Sequence, residues 1–459
     1  MKSFSIGLIW LLFICFPAVV QADYIESVEE ITAGNFFGYG ARQMAMGGAG
    51  LMSIDGASLF YNPANLARIP RIEFNLGMSN QKFNNESSVR NIRKVVDRSS
   101  VIPTVDIFPG RFDGYSPVSG TAKDNRSNTR INTALITVPY PTYRGALVFG
   151  FGVARVADFD RTFKMYHRDL NGPDEIAASG SEFQSGGLYQ WGFGFGVDLS
   201  PNISFGGTAL LYSGKHEYNW EYNLDSANVF IYRKQTYIED KYLGFGAKLG
   251  LAMQLSPHLG IGLAMETPVS LKVEENFNDY YYYADTAVDE SESFDFVEYR
   301  VKRPFIFSAG ALGRFNNVEV AADIDYTDWA QLSYGDNDLM EQENNNVKRY
   351  YRDALRFRVG GEYVFPSIGL SLRSGFFTDP LPFKEEFQND SRFGYSFGLG
   401  ILVDQVMTID LAWVRTTYSR NSDFLYASVY NGDPAVDHYL IIDEDVSTSR
   451  LYLTAAYRF

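Results

Sequence analysis

Cysteine is nearly absent from this chain: Cys15 is the only one in 459 residues, and there are only four histidines. With Cys15 inside a leader expected to be removed, the remainder has no disulfide, no thiolate metal site and no cysteine nucleophile. Cations are in short supply too, 40 Lys and Arg against 55 Asp and Glu, for a formal charge of −15. Such acidity speaks against nucleic acid as a partner. Long apolar runs are missing after the first residues, and nothing later approaches the roughly 18 apolar residues of a spanning helix. His167, His216, His438 and His258 stand in expected loops and a turn, with no serine or aspartate pattern near them that makes a catalytic set. No acidic segment has the spacing of a Ca²⁺ loop. Neither an enzyme, a cofactor nor a metal site is expected.

The opening residues read as an export signal. Lys2 supplies a positive start, Ile6 to Val20 is apolar except for Gly7 and Pro17, and Val20-Gln21-Ala22 resembles a cleavage site. The mature chain is expected to begin near Asp23. Cleavage removes Lys2 as its only charge, so −15 becomes −16. A lipoprotein would need a small residue before Cys15, where Ile14 stands after Phe13.

What the chain does hold is aromatic residues, 16%, and 41 glycines, set in an alternation of period two. In 189–199 the odd positions are Tyr189, Trp191, Phe193, Phe195, Val197 and Leu199, and the even ones are Gln190, Gly192, Gly194, Gly196 and Asp198. The pattern returns in Leu243 to Leu251, Leu259 to Met265, Phe393 to Ile401 and Leu451 to Phe459, and no outward position is charged. A strand with lipid on one face and water on the other reads this way. Short polar turns are expected at 141–142, 200–202, 256–258, 316–317, 366–367 and 404–405. Long outer loops are expected at 84–130, 157–184, 214–238, 275–298, 329–348, 378–391 and 418–446. Six short turns and seven long loops make about fourteen strands. The fold class is therefore all-β, a transmembrane antiparallel β-barrel, and an exported barrel of this kind belongs in the cell outer membrane.

Fourteen strands enclose more space than their own side chains fill, so something must narrow the lumen. Residues 23–70 are too few for a separate domain. They carry Gly34, Gly38, Gly40, Gly47, Gly48 and Gly50 among Phe36, Phe37 and Tyr39, and glycines permit tight backbone turns in a confined lumen. The expected organisation is 1–22 signal peptide, 23–70 plug or hatch inside the barrel, and 71–459 barrel. Gly40-Ala41-Arg42-Gln43-Met44-Ala45-Met46-Gly47-Gly48-Ala49, followed by Ser58-Leu59-Phe60-Tyr61-Asn62-Pro63-Ala64, resembles the N-terminal hatch of the FadL/TodX family. The resemblance implies a fourteen-stranded outer-membrane channel for long-chain fatty acids or aromatic hydrocarbons. It also implies hatch or gate roles for Phe36, Phe37, Arg42, Asn62, Pro63 and Ala64, and a sideways exit beside a kinked third strand. PorV-like barrels linked to secretion share the hatch motif, so secretion-system proteins are the alternative partners to a hydrophobic small molecule and membrane lipid.

Further residues take roles within that picture. Gly150 and Gly152, on the lumen face of the third strand, either mark its kink or make room for the plug. Phe424, Leu425 and Tyr426 with Leu440, Ile441 and Ile442 are either capture residues or the last loop's own small core. Glu319, Asp323 and Asp325 should face the lumen beside Arg352, Arg356, Arg358 and Arg373. Those arginines could hold a fatty-acid carboxylate, or complete a paired ladder that satisfies the lumen wall and hatch.

Overall fold

Alternation becomes wall because successive side chains of a strand point to opposite faces. The structure, a computed structural model, describes residues 38–95, 117–119, 121–169, 176–226, 229–283, 291–335, 340–382, 384, 392–429 and 436–459. The expected signal peptide, with Phe36 and Phe37, lies outside them. Fourteen strands follow in chain order. β1 is Glu73–Val95, β2 Thr121–Tyr140, and β3 Leu147–Asp158 continued by Arg161–Asp169. β4 is Ile176–Ser200, β5 Ile203–Ser226 and β6 Val229–Ser256. β7 is Leu259–Glu266 with Val269–Tyr283, and β8 Ser291–Arg303 with Ile306–Phe315. β9 is Val318–Asp328, β10 Asp353–Phe365, β11 Leu370–Asp379 and β12 Arg392–Val403. β13, Met407–Val429, and β14, Val436–Arg458, complete the series. Neighbours pair antiparallel, and β1 pairs with β14, Glu73 opposite Arg458 and Met78 opposite Leu453. The sheet closes on itself.

Closure turns one face of every strand outward. Phe74, Phe151, Phe193, Phe245, Phe307, Phe357, Phe397 and Leu453 are all exposed, Phe245 by 67%. Aromatic and aliphatic side chains left bare around a closed ring fit a hydrocarbon layer. The short turns lie where their chemistry requires them. In the three-residue connection 404–406, Asp404 and Gln405 both take positive φ, 49° and 60°, and the Val406 N–H closes the turn on the Val403 carbonyl at 3.1 Å, a backbone twist matched to that of the strands.

The long segments expected as loops are largely strand. β1 runs on to Val95 and β2 starts at Thr121, both inside 84–130; β5 and β6 are continuous with paired ladder to Ser226 opposite Val229, and β13 and β14 pair as far as Val429 opposite Val436. The reason is physical. Above the bilayer both faces meet water, so the apolar alternation fades at Asn80, Lys82 and Asn84 while the hydrogen-bonded ladder continues. The segment after β9 does leave the wall, through a 3₁₀ turn Trp329–Gln331, a short strand Ser333–Gly335 and a helix Glu341–Tyr350.

Three strands break. β7 does so at Pro268, which has no N–H to donate, and the Thr267 hydroxyl accepts the Ala247 N–H at 2.9 Å there. β8 breaks at Pro304, above which it pairs with Ser333–Gly335 instead of β9. β3 breaks at Phe159 and Asp160, without proline. Placing a charge on the lipid face tests the wall directly. Phe193→Arg is expected to cost about 2–4 kcal/mol in guanidinium unfolding from lipid vesicles, and Ser213→Arg, above the apolar band, close to nothing.

Candidate functional site: the lumen and its hatch

The leading segment folds into α1, Ala41–Ala45, α2, Ser58–Tyr61, and a 3₁₀ turn, Pro63–Arg68. Proline suits the first position of that turn, and the Asn62 side chain accepts the Ala64 N–H at 3.2 Å. All three lie inside the ring, where the backbone groups that these short turns leave unpaired must find partners in the wall. The Ala41 N–H donates to Thr454 Oγ1 at 2.9 Å, and Gly47 N–H to Ser396 Oγ at 3.0 Å. Asp323 accepts from both Gly50 and Leu51 N–H, at 2.7 and 2.9 Å. On the opposite side, Lys248 Nζ donates to the Phe60 carbonyl at 2.6 Å and Asn62 Nδ2 to the Leu251 carbonyl at 3.1 Å.

Such contacts need a flat wall, and the inward glycines supply it. A Cβ on Gly196 would lie 2.6 Å from the Pro63 carbonyl oxygen and the Ala67 nitrogen. One on Gly206 would strike Pro63, one on Gly250 Asn62, and ones on Gly360 and Gly375 the backbone of Met46 and Gly47. The glycines of the period-two pattern are seats for the hatch.

A chain of alternating charges fixes the α1 side. Arg42 bridges Glu319 and Glu362, each at 2.9 Å, and Arg314 meets Glu319 at 2.8 Å. Glu362 in turn holds Arg373 at 3.2 Å, which reaches Asp410 at 2.6 Å. Arg358 pairs with Asp325, and Arg356 with Asp379 at 2.5 Å. Burial works against the Arg42 charge, but Glu362, Glu319 and Asp55 outweigh it and hold its guanidinium above the ordinary range. Asp55, buried and near Glu73, is pushed up to about 6 despite Arg42. Of the seven charges expected in the ladder, Arg352 alone lies off the barrel strands; it precedes β10, and its N–H donates to the Pro382 carbonyl. Glu362, Asp379 and Asp410 were missed, although their inward positions on β10, β11 and β13 were readable from the alternation. A cavity between Arg42, Met52 and Arg314 is about 30 Å³, room for one or two waters.

Gly150 and Gly152 remain paired on both sides, with Thr137 and Leu135 of β2 and Gly194 and Gly192 of β4. A Cβ at Gly150 would touch Leu59 and Leu66 of the hatch. The break lies beyond them. The β2–β3 ladder ends at Thr133 opposite Ala154, and pairing resumes only where Ser119 meets His167. Between these points the outer half of β3 crosses the inner face of the wall, its Thr162 and Lys164 carbonyls accepting from Asn85 and Ser87 of β1. Arg130 grips Asp160 at 2.7 and 3.0 Å, Arg155 meets Asp158 at 2.7 Å, and Phe159 turns inward against His216 and Tyr242.

Aromatic and aliphatic side chains line the lumen at two levels. Above the hatch, Phe159, Tyr212, Tyr242, Leu271 and Tyr299 belong to one buried cluster with Leu59 and Phe60. Nearer the outer end, Phe163, Met165, Tyr218, Trp220, Tyr222, Ile238 and Ile442 form another. Ile442 thus faces inward. The side chains of Phe424, Leu425, Tyr426, Leu440 and Ile441 lie outside the described residues, although their backbones belong to β13 and β14 instead of a loop. Gly375→Val is expected to unseat Met46 and Gly47 and give measurable conductance in planar bilayers. Gly361→Val, with no atom nearer than 3.6 Å to its Cβ, is expected to stay as closed as the parent.

Comparison with known proteins agrees with this architecture. A family model for outer membrane protein transport proteins (OMPP1/FadL/TodX) matches residues 30–459. The crystal structure of a Pseudomonas aeruginosa FadL homologue is similar over 93% of this chain and 98% of its own, at 15% identity and a TM-score of 0.56. The P. putida toluene transporter TodX matches over 93% and 99%, at 14% identity and a TM-score of 0.56. The Ralstonia pickettii toluene transporter TbuX covers the same shares at 14% identity and a TM-score of 0.52. At such identities the structural likeness is one of fold. No curated protein sequence matches. With the family model spanning hatch and barrel alike, the chain belongs to the OMPP1/FadL/TodX family of outer-membrane transport proteins.

Proposed function

We propose that this barrel takes up a hydrophobic compound, a long-chain fatty acid or an aromatic hydrocarbon, by passive diffusion through the lumen. The observation that carries the reading is the pair of apolar clusters stacked above the hatch, one near the outer end and one touching Leu59 and Phe60. A hydrophobic cargo gains nothing from a water-filled pore, whereas each CH₂ moved onto apolar surface gains roughly 0.8 kcal/mol. Capture is assigned to the outer cluster around Trp220 and Ile442, extended by Phe424, Leu425, Tyr426, Leu440 and Ile441. The hatch, through Arg42, Asn62, Pro63 and Ala64 with Phe36 and Phe37 before them, serves as the gate. Sideways exit is assigned to the unpaired stretch between β2 and β3, next to Phe159, and Gly150 and Gly152 give the hatch leucines room below it. The arginines of the ladder already hold carboxylates, so their place in the reading is to fix the hatch.

Uptake of labelled oleate and of toluene, in cells lacking the gene and complemented with the parent or with Trp220→Asp, tests it. The parent is expected to restore uptake of at least one of the two. The variant, checked for its folded, heat-modifiable band, is expected to lose about tenfold of that, a difference worth 1.4 kcal/mol. Failure of the parent to restore either, together with stoichiometric secretion proteins in a pull-down, would favour a PorV-like role.

A further inference from the structure

On four consecutive strands the outward face turns from apolar to charged in one order. Rising along β5, Leu211 and Ser213 give way to Lys215 and then Glu217. On β6, Leu243 is followed by Lys241 and then Glu239; on β7, Ser270 by Lys272 and then Glu274. On β8, Phe305 and Pro304 give way to Lys302 and Arg300, then Glu298. The cations are always on the bilayer side and the carboxylates beyond them.

The ladder sharpens this separation of sign. Lys215 stands directly opposite Lys241 and Lys272 opposite Arg300, while Glu217 faces Glu239 and Glu274 faces Glu298. Like charges directly opposed on one face are unfavourable, and alternating the signs along each row would have avoided it. The carboxylates relieve Lys215 and Lys272 from above: Lys215 meets Glu217 and Glu239 at 2.8 Å, and Lys272 meets Glu274 and Glu298 at 2.9 Å, while across the β6–β7 seam Glu274 stands directly opposite Lys241. The lysines keep their exposure, 46% for Lys215, 56% for Lys241 and 32% for Lys272. A cation on every one of four adjacent strands is found on this wall. At the same transition β1 has Asn80 and a single Lys82, β2 has Thr129 and Ser127, β13 has a single Arg415 that donates to Ser449, β14 has Ser449 and Ser447, and β9 and β10 present Asp328 and Asp353.

A second feature lies beneath. An apolar depression of about 650 Å³ opens on the lipid face of β5 to β10, between Phe205, Leu251, Leu263, Met265, Phe307 and Ile324. From Phe307 to Lys302, and from Met265 to Lys272, the strands run roughly 17 and 23 Å at about 3.3 Å per residue. With strands tilted some 40°, that height is close to one leaflet of a hydrocarbon core roughly 30 Å thick. A row of cations thus stands one acyl-chain length above an apolar hollow.

We propose that this wall docks a phosphate-bearing glycolipid of the outer leaflet. Its phosphates lie along Lys215, Lys241, Lys272, Arg300 and Lys302, and an acyl chain occupies the depression below. Basic residues at the headgroup level recognise anionic lipid in this way. The inference depends on the barrel's place in the membrane and is independent of its cargo.

Native mass spectrometry of the full-length protein, released from mixed nanodiscs, tests it with bisphosphorylated lipid A, the same lipid dephosphorylated, and inorganic phosphate as competitor. The parent is expected to retain the bisphosphorylated lipid at least tenfold over the dephosphorylated one, and millimolar phosphate is expected not to displace it. The combined variant Lys215→Gln, Lys241→Gln, Lys272→Gln and Lys302→Gln is expected to lose that preference. Equal retention of the two lipids by the parent, displacement by free phosphate, or an unchanged preference in the folded variant would each overturn the proposal. If the variant does not fold, the comparison of the two lipids on the parent decides alone.

Discussion

A backbone N–H or C=O inside a bilayer has no water to bond, and leaving one unpaired costs several kcal/mol. A sheet answers that constraint only by closing, and the pairing of Glu73 with Arg458 is where this one does. Once the ring is shut, its outer face must be apolar, and its inner face must satisfy whatever it encloses. The breaks in β7 and β8 are compatible with the constraint because the outward residues just above them, Lys272, Arg300 and Lys302, are already those of a wet surface. The break in β3 is compensated differently, by Arg130, Arg155 and the backbone of β4 around Asp158 and Asp160.

The enclosed segment repeats the same requirement on a smaller scale. α1, α2 and the 3₁₀ turn are too short to satisfy their own ends, so the wall does it through Thr454, Ser396, Asp323, Thr208 and Lys248. Contact at that range is available only where the wall lacks Cβ atoms, at Gly196, Gly206, Gly250, Gly360 and Gly375. Two modes of attachment result. The α1 half adds charge, through Arg42, to the seating of Met46 and Gly47 on Gly360 and Gly375, and the second half rests on close fit, with Leu59, Leu66 and Pro63 against glycine. Moving the second half would disturb apolar and backbone contacts, whereas releasing α1 would leave half-buried Glu319 with Arg314 alone and buried Glu362 with Arg373 alone, the loss of one cation being costlier at the buried site.

Much of this was legible from residues alone, because period-two alternation has one cause in a wall between lipid and water. Phe193, Phe195, Phe245 and Phe397 face outward as their spacing requires, and the chain turns at the polar pair Asp404-Gln405, with Val406 completing the connection. The charged ladder was legible as a set of inward positions, and Glu362, Asp379 and Asp410 could have been added by extending the same count. Strand length was not legible. Above the bilayer, Asn84 and Ser447 are both wet, so nothing in side-chain pattern separates ladder from loop. Gly150 and Gly152 allow two readings, a kink or room for the plug, because glycine tolerates a straight ladder as readily as a bend. The bend itself lies at Asp158-Phe159-Asp160, where the alternation fails and carboxylates appear together with arginines on β2 and β3 to receive them.

Amide hydrogen exchange on the intact protein in lipid nanodiscs bears most directly on the claim that the leading segment is bound inside a closed ring. The account predicts that amides between Ala41 and Arg68, with Gly47, Gly50 and Leu51 foremost, exchange as slowly as those of the β5–β6 ladder at membrane depth. Exchange across that segment at the rate of an unstructured peptide would contradict it.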